Sequence, residues 1–214
     1  MPVSTFEGII IRRSNFGEAD RILTVITPYK GKIKLIAKGV RRITSRRSGN
    51  VELLNRAKLH VFQGKGMSIL TEAEALDTFP KIKNDLLLSS YGSHIIELID
   101  KFLPEEQANP LVYQLLVSIL KLLETNPRQI FIRAFEIKLL SLLGFWSLDQ
   151  LGDIGKNKEI LTLLQKNSWE DLGKLKLSSN QALELEKIVR YYIEKILESS
   201  LKSARIIRNL RQNG

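Results

Sequence analysis

Between residues 5 and 76, apolar and polar positions alternate in five short blocks: TFEGIIIRRS, DRILTVIT, KIKLIAKG, VELLNRAKLHVFQ and MSILTEAEAL. An alternation of period two puts the apolar side chains on one face of an extended strand, so each block is predicted to be a strand. Turn signals separate them at residues 15–17, 28–31, 46–50 and 64–66. Five strands with tight turns in about 75 residues fit a small closed barrel of the OB or SH3-like kind, because closure leaves no strand edge exposed.

From residue 81 the repeat lengthens to three and four. Leu86, Leu87, Tyr91, Ile95, Leu98, Ile99 and Phe102 share one helical stripe, which Pro104 ends. A second helix is predicted over residues 110–124, with Pro110 in its first turn, and a third over 127–143, stopped by Gly144. Residues 145–157 read as a loop and 158–165 as a short helix. Ser178 or Ser179 caps a long helix carrying Leu183, Ile188, Tyr191, Tyr192, Ile196 and Leu197, and residues 201–210 form a last helical stretch with a basic end. The change of period near Pro80 predicts an all-β domain over residues 1–80 and an all-α domain over 81–214.

Composition narrows the class. An apolar share of 43% with 26% charged residues describes a chain able to bury a core. The opening residues hold one short apolar run before two arginines, too little for a secretion signal, and no run approaches a membrane span. A cytoplasmic protein is expected, and the absence of cysteine agrees with that while excluding disulfides, thiolate nucleophiles and thiolate zinc sites. Neither a cofactor nor a metal is expected.

Charge points to a partner. Lys and Arg outnumber Asp and Glu by 33 to 23, and residues 1–80 carry +7 of the net +10. Such an excess favours a polyanion. It concentrates between residues 29 and 47, where Lys30, Lys32, Lys34, Lys38, Arg41, Arg42, Arg46 and Arg47 occur without one acidic residue. Strand alternation places Lys32, Lys34 and Lys38 on one face and Ile33, Leu35 and Ala37 on the other, toward the barrel interior. Tyr29, Phe16 and Phe62 stand where a base could stack on the row. A cationic track with interleaved aromatics suits single-stranded nucleic acid, phosphates on the lysines and arginines, bases on the rings. The same residues also suit a solvated charged face, and the rings also suit core packing.

Catalytic readings find less support. His60 alternates onto the face of Arg56 and Lys58, His94 borders the stripe of Leu87, Tyr91 and Leu98, and neither has a second histidine at ligand spacing. Glu72, Glu74 and Asp77 are spaced closely enough for a magnesium-dependent nuclease, but equally for ordinary strand-edge charges. The glycines at Gly64 and Gly66, and at Gly152 and Gly155, lack the pattern of a phosphate loop; the first pair reads as a hairpin turn, the second as a surface loop.

The segment GIIIRRSNFGEADRILTVITPYKGKIKLIAKGVRRITSR, residues 8–46, resembles the N-terminal signature of bacterial RecO. LTEAEALDTFPKIKNDL around Phe79, RAFEIKLLSLLGF over 133–145 and LKSARII over 201–207 are similar to later stretches of that family. The resemblance implies an OB-fold domain for single-stranded DNA, with double-stranded DNA as a possible second ligand, and a helical partner-binding domain. It also implies annealing of complementary strands and a role with RecR in loading RecA onto DNA coated with single-strand binding protein, hence DNA repair and recombination by a non-enzyme near the nucleoid. Many members of the family carry a four-cysteine zinc module after the LLGF helix; this chain has none, so packing by Trp146 and Trp169 is expected instead. The family's pocket for the acidic, Phe-ended tail of single-strand binding protein maps here only to Arg133, within RAFE and flanked by Phe131 and Phe135. An OB-fold RNA-binding module is the alternative reading, and a metal-dependent nuclease a remote one.

Overall fold

Strands β1 (Val3–Phe16), β2 (Asp20–Thr27), β3 (Gly31–Ala37), β4 (Arg56–Phe62) and β5 (Ile69–Asp77) close into a barrel in the order β1-β2-β3-β5-β4 in the computed structural model. The structure describes residues 3–64, 66–151 and 155–198, together with Leu210. The predicted helix over 201–210 and the LKSARII stretch therefore lie outside the described residues, Leu210 apart, as do Lys65 of the first glycine turn and residues 152–154 of the second. Helices follow the barrel: α1 (Pro80–Asn84), α2 (Leu86–Phe102), α3 (Pro110–Thr125), α4 (Gln129–Leu142), α5 (Asn157–Lys166), α6 (Trp169–Lys174) and α7 (Ser179–Leu197). One compact unit comprises residues 1–83 with 96–114, and a second comprises 84–95 with 115–214.

The first unit is an OB-like barrel. β1 pairs antiparallel with both β4 and β2, β2 with β3, and β4 with β5. The ring closes between β3 and β5 through a single parallel pair, Ile36 with Ile69. Ile10, Leu23, Val25, Leu35, Ala57, Leu59, Val61 and Leu70 fill the interior, as period-two alternation requires. Thr24 and Ile26 are also buried although they face outward on β2, so this part of the sheet is covered on both sides. Residues 96–114 lie against it: Glu106 N donates to Lys32 O at 3.0 Å, and a Cβ on Gly31, whose φ is +67°, would meet the Gln107 carbonyl at 2.2 Å. Only glycine fits that close approach.

The predicted strand over residues 51–63 begins later than its pattern implies. Gly49–Val51 form a 3-10 turn, Leu54 takes a φ of +69°, and buried Asn55 donates its side-chain amide to Gly49 O and Asn50 O. A side chain that satisfies local carbonyls competes with the ladder, and pairing starts only at Arg56.

In the second unit α4 is the central element, with Phe131, Ile132, Ala134, Phe135, Ile137, Leu139 and Leu140 all buried. It ends as predicted at a glycine: Gly144 has a φ of +76° and Phe145 N donates to Leu140 O. Trp169 meets the Phe131 ring edge-on at 6.0 Å and Trp146 meets Tyr192 at 5.1 Å, so both tryptophans contribute packing, one to α4 and one to α7. Tyr192 also donates its hydroxyl to Phe145 O at 2.6 Å and accepts from Ser147 N. Ser178 caps α7, its hydroxyl accepting from Gln181 N while the Gln181 side chain accepts from Ser178 N.

Two expectations need correcting. Leu86 and Leu87 do not belong to the buried stripe of α2: Leu86 is 69% exposed, because the helix begins there, with Asp85 Oδ1 accepting from Leu88 N, and its first turn projects outward. The helix α6 has no counterpart among the expected elements, although Ser168 accepts from Asp171 N in the ordinary N-cap manner.

Candidate nucleic-acid interface

Strand β3 and its two flanking turns carry all eight cations, and the structure sorts them by what each touches. At the β2–β3 turn Tyr29 is 80% exposed. Lys30 beside it is half-buried, its ammonium 4.6 Å from the centre of the Phe6 ring and 3.3 Å from Ser4 Oγ. Alternation along β3 holds, with Leu35 and Ala37 inside and Lys34 outside, but the three lysines are not equivalent. Lys32 is only 8% exposed and spends its ammonium on Asp100, reaching the backbone carbonyl at 2.6 Å and Oδ1 at 3.1 Å. Lys34 is ion-paired with Glu105 in solvent, and Lys38 is exposed with no ion pair among the described residues.

The loop after β3 is built, not slack. Gly39 N donates to Asp20 Oδ1 at 2.7 Å, Arg41 N to Ala19 O at 2.9 Å, and the Arg41 guanidinium to Gly17 O. Arg47 folds back over the barrel edge and donates to Lys38 O, Leu70 O and Thr71 O. That bracing leaves Arg42 and Arg46 exposed, with Ile43 between them fully in solvent. Lys38, Arg42 and Arg46 thus present charge to solvent, Lys30, Lys34 and Arg41 do so in part, and Lys32 and Arg47 serve the fold.

Other candidates are separated. Phe16 is half-exposed at the end of β1 and Phe62 is partly buried in β4. His60 Nδ1 lies 2.9 Å from Thr5 Oγ1. Asp77 accepts from Arg56, which also binds Glu7, while Glu72 and Glu74 point into solvent. Among the described residues no three His, Asp or Glu side chains converge in a way that could hold a metal, so the carboxylates proposed for magnesium do not form one site.

In the second unit Arg133 is 5% exposed, with Nη1 3.0 Å from Glu136 Oε2. The same carboxylate meets His94 Nε2 at 2.6 Å, so the histidine is a buried partner of Glu136. Phe131 and Phe135 are buried in the core. A cavity of about 190 Å³ does open over Arg133, bounded by Arg128, Ile130, Leu175, Leu177, Ala182 and Leu185. Arg128 is engaged there with Gly173 O and, at 3.0 Å, with Leu175 O. A signal for the pairing of Arg133 with Glu136 stood in the sequence, since Arg and Glu three apart in RAFE are neighbours on a helix.

Comparison with known proteins agrees with this architecture. Residues 1–79 match the family model described as "Recombination protein O N terminal", and residues 83–149 match "Recombination protein O C terminal". The chain is 32% identical to a DNA repair protein RecO of Dehalococcoides mccartyi, over 92% of each chain. It is 28% identical to the DNA repair protein RecO of a Roseiflexus species, over 96% of this chain and 85% of that protein. A Listeria monocytogenes protein of the same name is 33% identical over 65% of this chain and 55% of its own.

Proposed function

This chain belongs to the RecO family of DNA repair proteins, and from that premise we propose that it is a recombination mediator which binds single-stranded DNA along β3 and acts by binding rather than by catalysis. The observation that carries the reading is the braced loop: hydrogen bonds from Gly39, Arg41 and Arg47 tie it to the barrel, yet Lys38, Arg42 and Arg46 remain in solvent. Cations held in place without ion pairs gain most from a phosphate, because binding releases counterions and breaks nothing. Seven residues of β3 at about 3.3 Å each span roughly 23 Å between Tyr29 and this loop, a run that suits a few nucleotides per barrel.

Annealing of complementary strands and loading of RecA with RecR follow on this reading. The cavity over Arg133 is the place for the acidic, Phe-ended tail of single-strand binding protein, with the arginine for its carboxylates and Leu175, Leu177 and Leu185 for its ring. Holding the tail there raises the effective concentration of the barrel at the coated strand, which supplies the free energy for remodelling. A pull-down with purified RecR tests that partnership.

The DNA assignment is tested by replacing Lys38, Arg42 and Arg46 with serine and measuring affinity for a fluorescent oligonucleotide from low to high salt. Removing one cation–phosphate pair flattens the slope of log K against log salt by about 0.7 for a single strand, so the slope of the triple variant is shallower by roughly 2. An unchanged slope in a folded variant overturns the assignment, and equal competition by RNA favours the RNA-binding alternative.

A further inference from the structure

Among the described residues, β3 and β5 pair along only part of their seam. Ile36 N donates to Ser68 O at 2.9 Å, and Lys32 O accepts from Glu106 N at 3.0 Å. Both residues turn their backbone polar groups away from β2, and successive residues of a strand alternate in this respect. Lys34, midway between them, therefore directs its backbone N–H and C=O into the opening, where β5 makes no pair with it. A groove of about 540 Å³ lies there, with Phe6, Ile33, Lys34, Val61, Gln63 and Met67 among its walls.

Among the described residues its charge is nearly balanced. Lys30 is drawn over Phe6, Lys32 is held by Asp100 and Lys34 by Glu105, and Glu106 also faces the groove. A phosphate entering it would meet two carboxylates beside its cations. A flat neutral group meets better terms: apolar walls at Phe6, Met67 and Val61, and polar edges at the Lys34 backbone and the Gln63 amide. An added peptide strand is disfavoured, because a single residue lies open between two that are already bridged, and strand addition needs a longer edge.

We infer that this groove holds an unstacked nucleobase of the bound strand, its edge on the Lys34 backbone and its face against Met67 and the Phe6 ring once the Lys30 ammonium swings off that ring to a phosphate, while the other phosphates run outside on Lys38, Arg42 and Arg46. The inference rests on the proposed single-stranded DNA binding and adds to it a base contact distinct from the phosphate track.

The test compares, by fluorescence anisotropy with the full chain, a thymidine oligonucleotide and one of equal length in which alternate positions are abasic. The wild type binds the base-bearing strand about tenfold more tightly, in keeping with one base–aromatic contact. Phe6→Leu with Met67→Ala, verified as folded by circular dichroism, reduces that ratio below threefold without changing the salt slope; Met67→Ala alone gives a partial reduction if the double variant does not fold. A ratio near one in the wild type, or a ratio that the folded variants leave intact, overturns the groove assignment while DNA binding stands. Failure of the wild type to bind either strand at low salt overturns the DNA reading itself, and the groove assignment with it.

Discussion

Lys32 Nζ donates to the main-chain carbonyl of Asp100 at 2.6 Å and to its carboxylate at 3.1 Å. One lysine from the middle of the basic run thus fastens the covering segment 96–114 to the strand that carries that run. Its neighbour Lys34, two residues on, pairs with Glu105 where solvent screens the interaction.

Replacing these two lysines therefore has unequal consequences for stability. Lys32→Met removes a charge-assisted hydrogen bond from a buried donor and costs about 1–3 kcal/mol of stability, with little effect on the salt dependence of DNA binding. Lys34→Met costs less than about 1 kcal/mol. Urea denaturation of both variants checks the order, and equal midpoints would contradict it.

Filling the cavity over Arg133 separates the tail site from the DNA track. Ala182→Trp places a large ring on α7 at the cavity wall and leaves Arg133, Glu136 and His94 themselves unaltered. It should weaken an acidic, Phe-ended peptide at least roughly tenfold, equal to about 1.4 kcal/mol, and leave bare oligonucleotide binding unchanged. Arg133→Glu is a poorer probe, since it sets a second carboxylate against buried Glu136 and breaks the core. Anisotropy with peptide and oligonucleotide reads both outcomes; equal weakening of the two ligands would refute the separation.

Lys138 offers a test by pH. Its ammonium donates to Gln165 O and Asn167 O and lies 5.7 Å from the Trp169 ring centre, and burial holds its pKa below the usual lysine value of 10.5. As pH rises from the depressed folded value to the unfolded one, the unfolded chain retains a proton that the folded chain has released. Stability therefore rises across that window. Thermal melts from pH 8 to about pH 10.4 should show the wild type gaining stability relative to Lys138→Met as pH rises; parallel curves would show that the lysine titrates normally.

The barrel was legible because strand alternation and turn glycines are local: Leu23, Val25, Leu35 and Ala37 point inward as their spacing requires. Positions whose role depends on a distant residue were not. Nothing near Lys32 indicates Asp100, 68 residues away, and nothing near His94 indicates Glu136. Arg47 reads as one more surface cation until Leu70 and Thr71 bring their carbonyls to it. The α6 helix had a local signal, Ser168 three residues before Asp171, which the single periodic turn was too short to support.

β1 serves two ladders in succession: Val3–Ile9 pairs with β4 and Ile9–Phe16 with β2. On a ribosome these halves have different histories. The second half finds β2 at once, as a hairpin forms in microseconds. The first must wait for β4, about 50 residues further on, which at common elongation rates means roughly 3 to 10 seconds. During that interval Phe6 and Ile9 sit on an uncovered edge that another nascent chain can template against. Crowded synthesis should therefore aggregate this protein through its opening strand, and slower initiation, not slower elongation, is what would protect it.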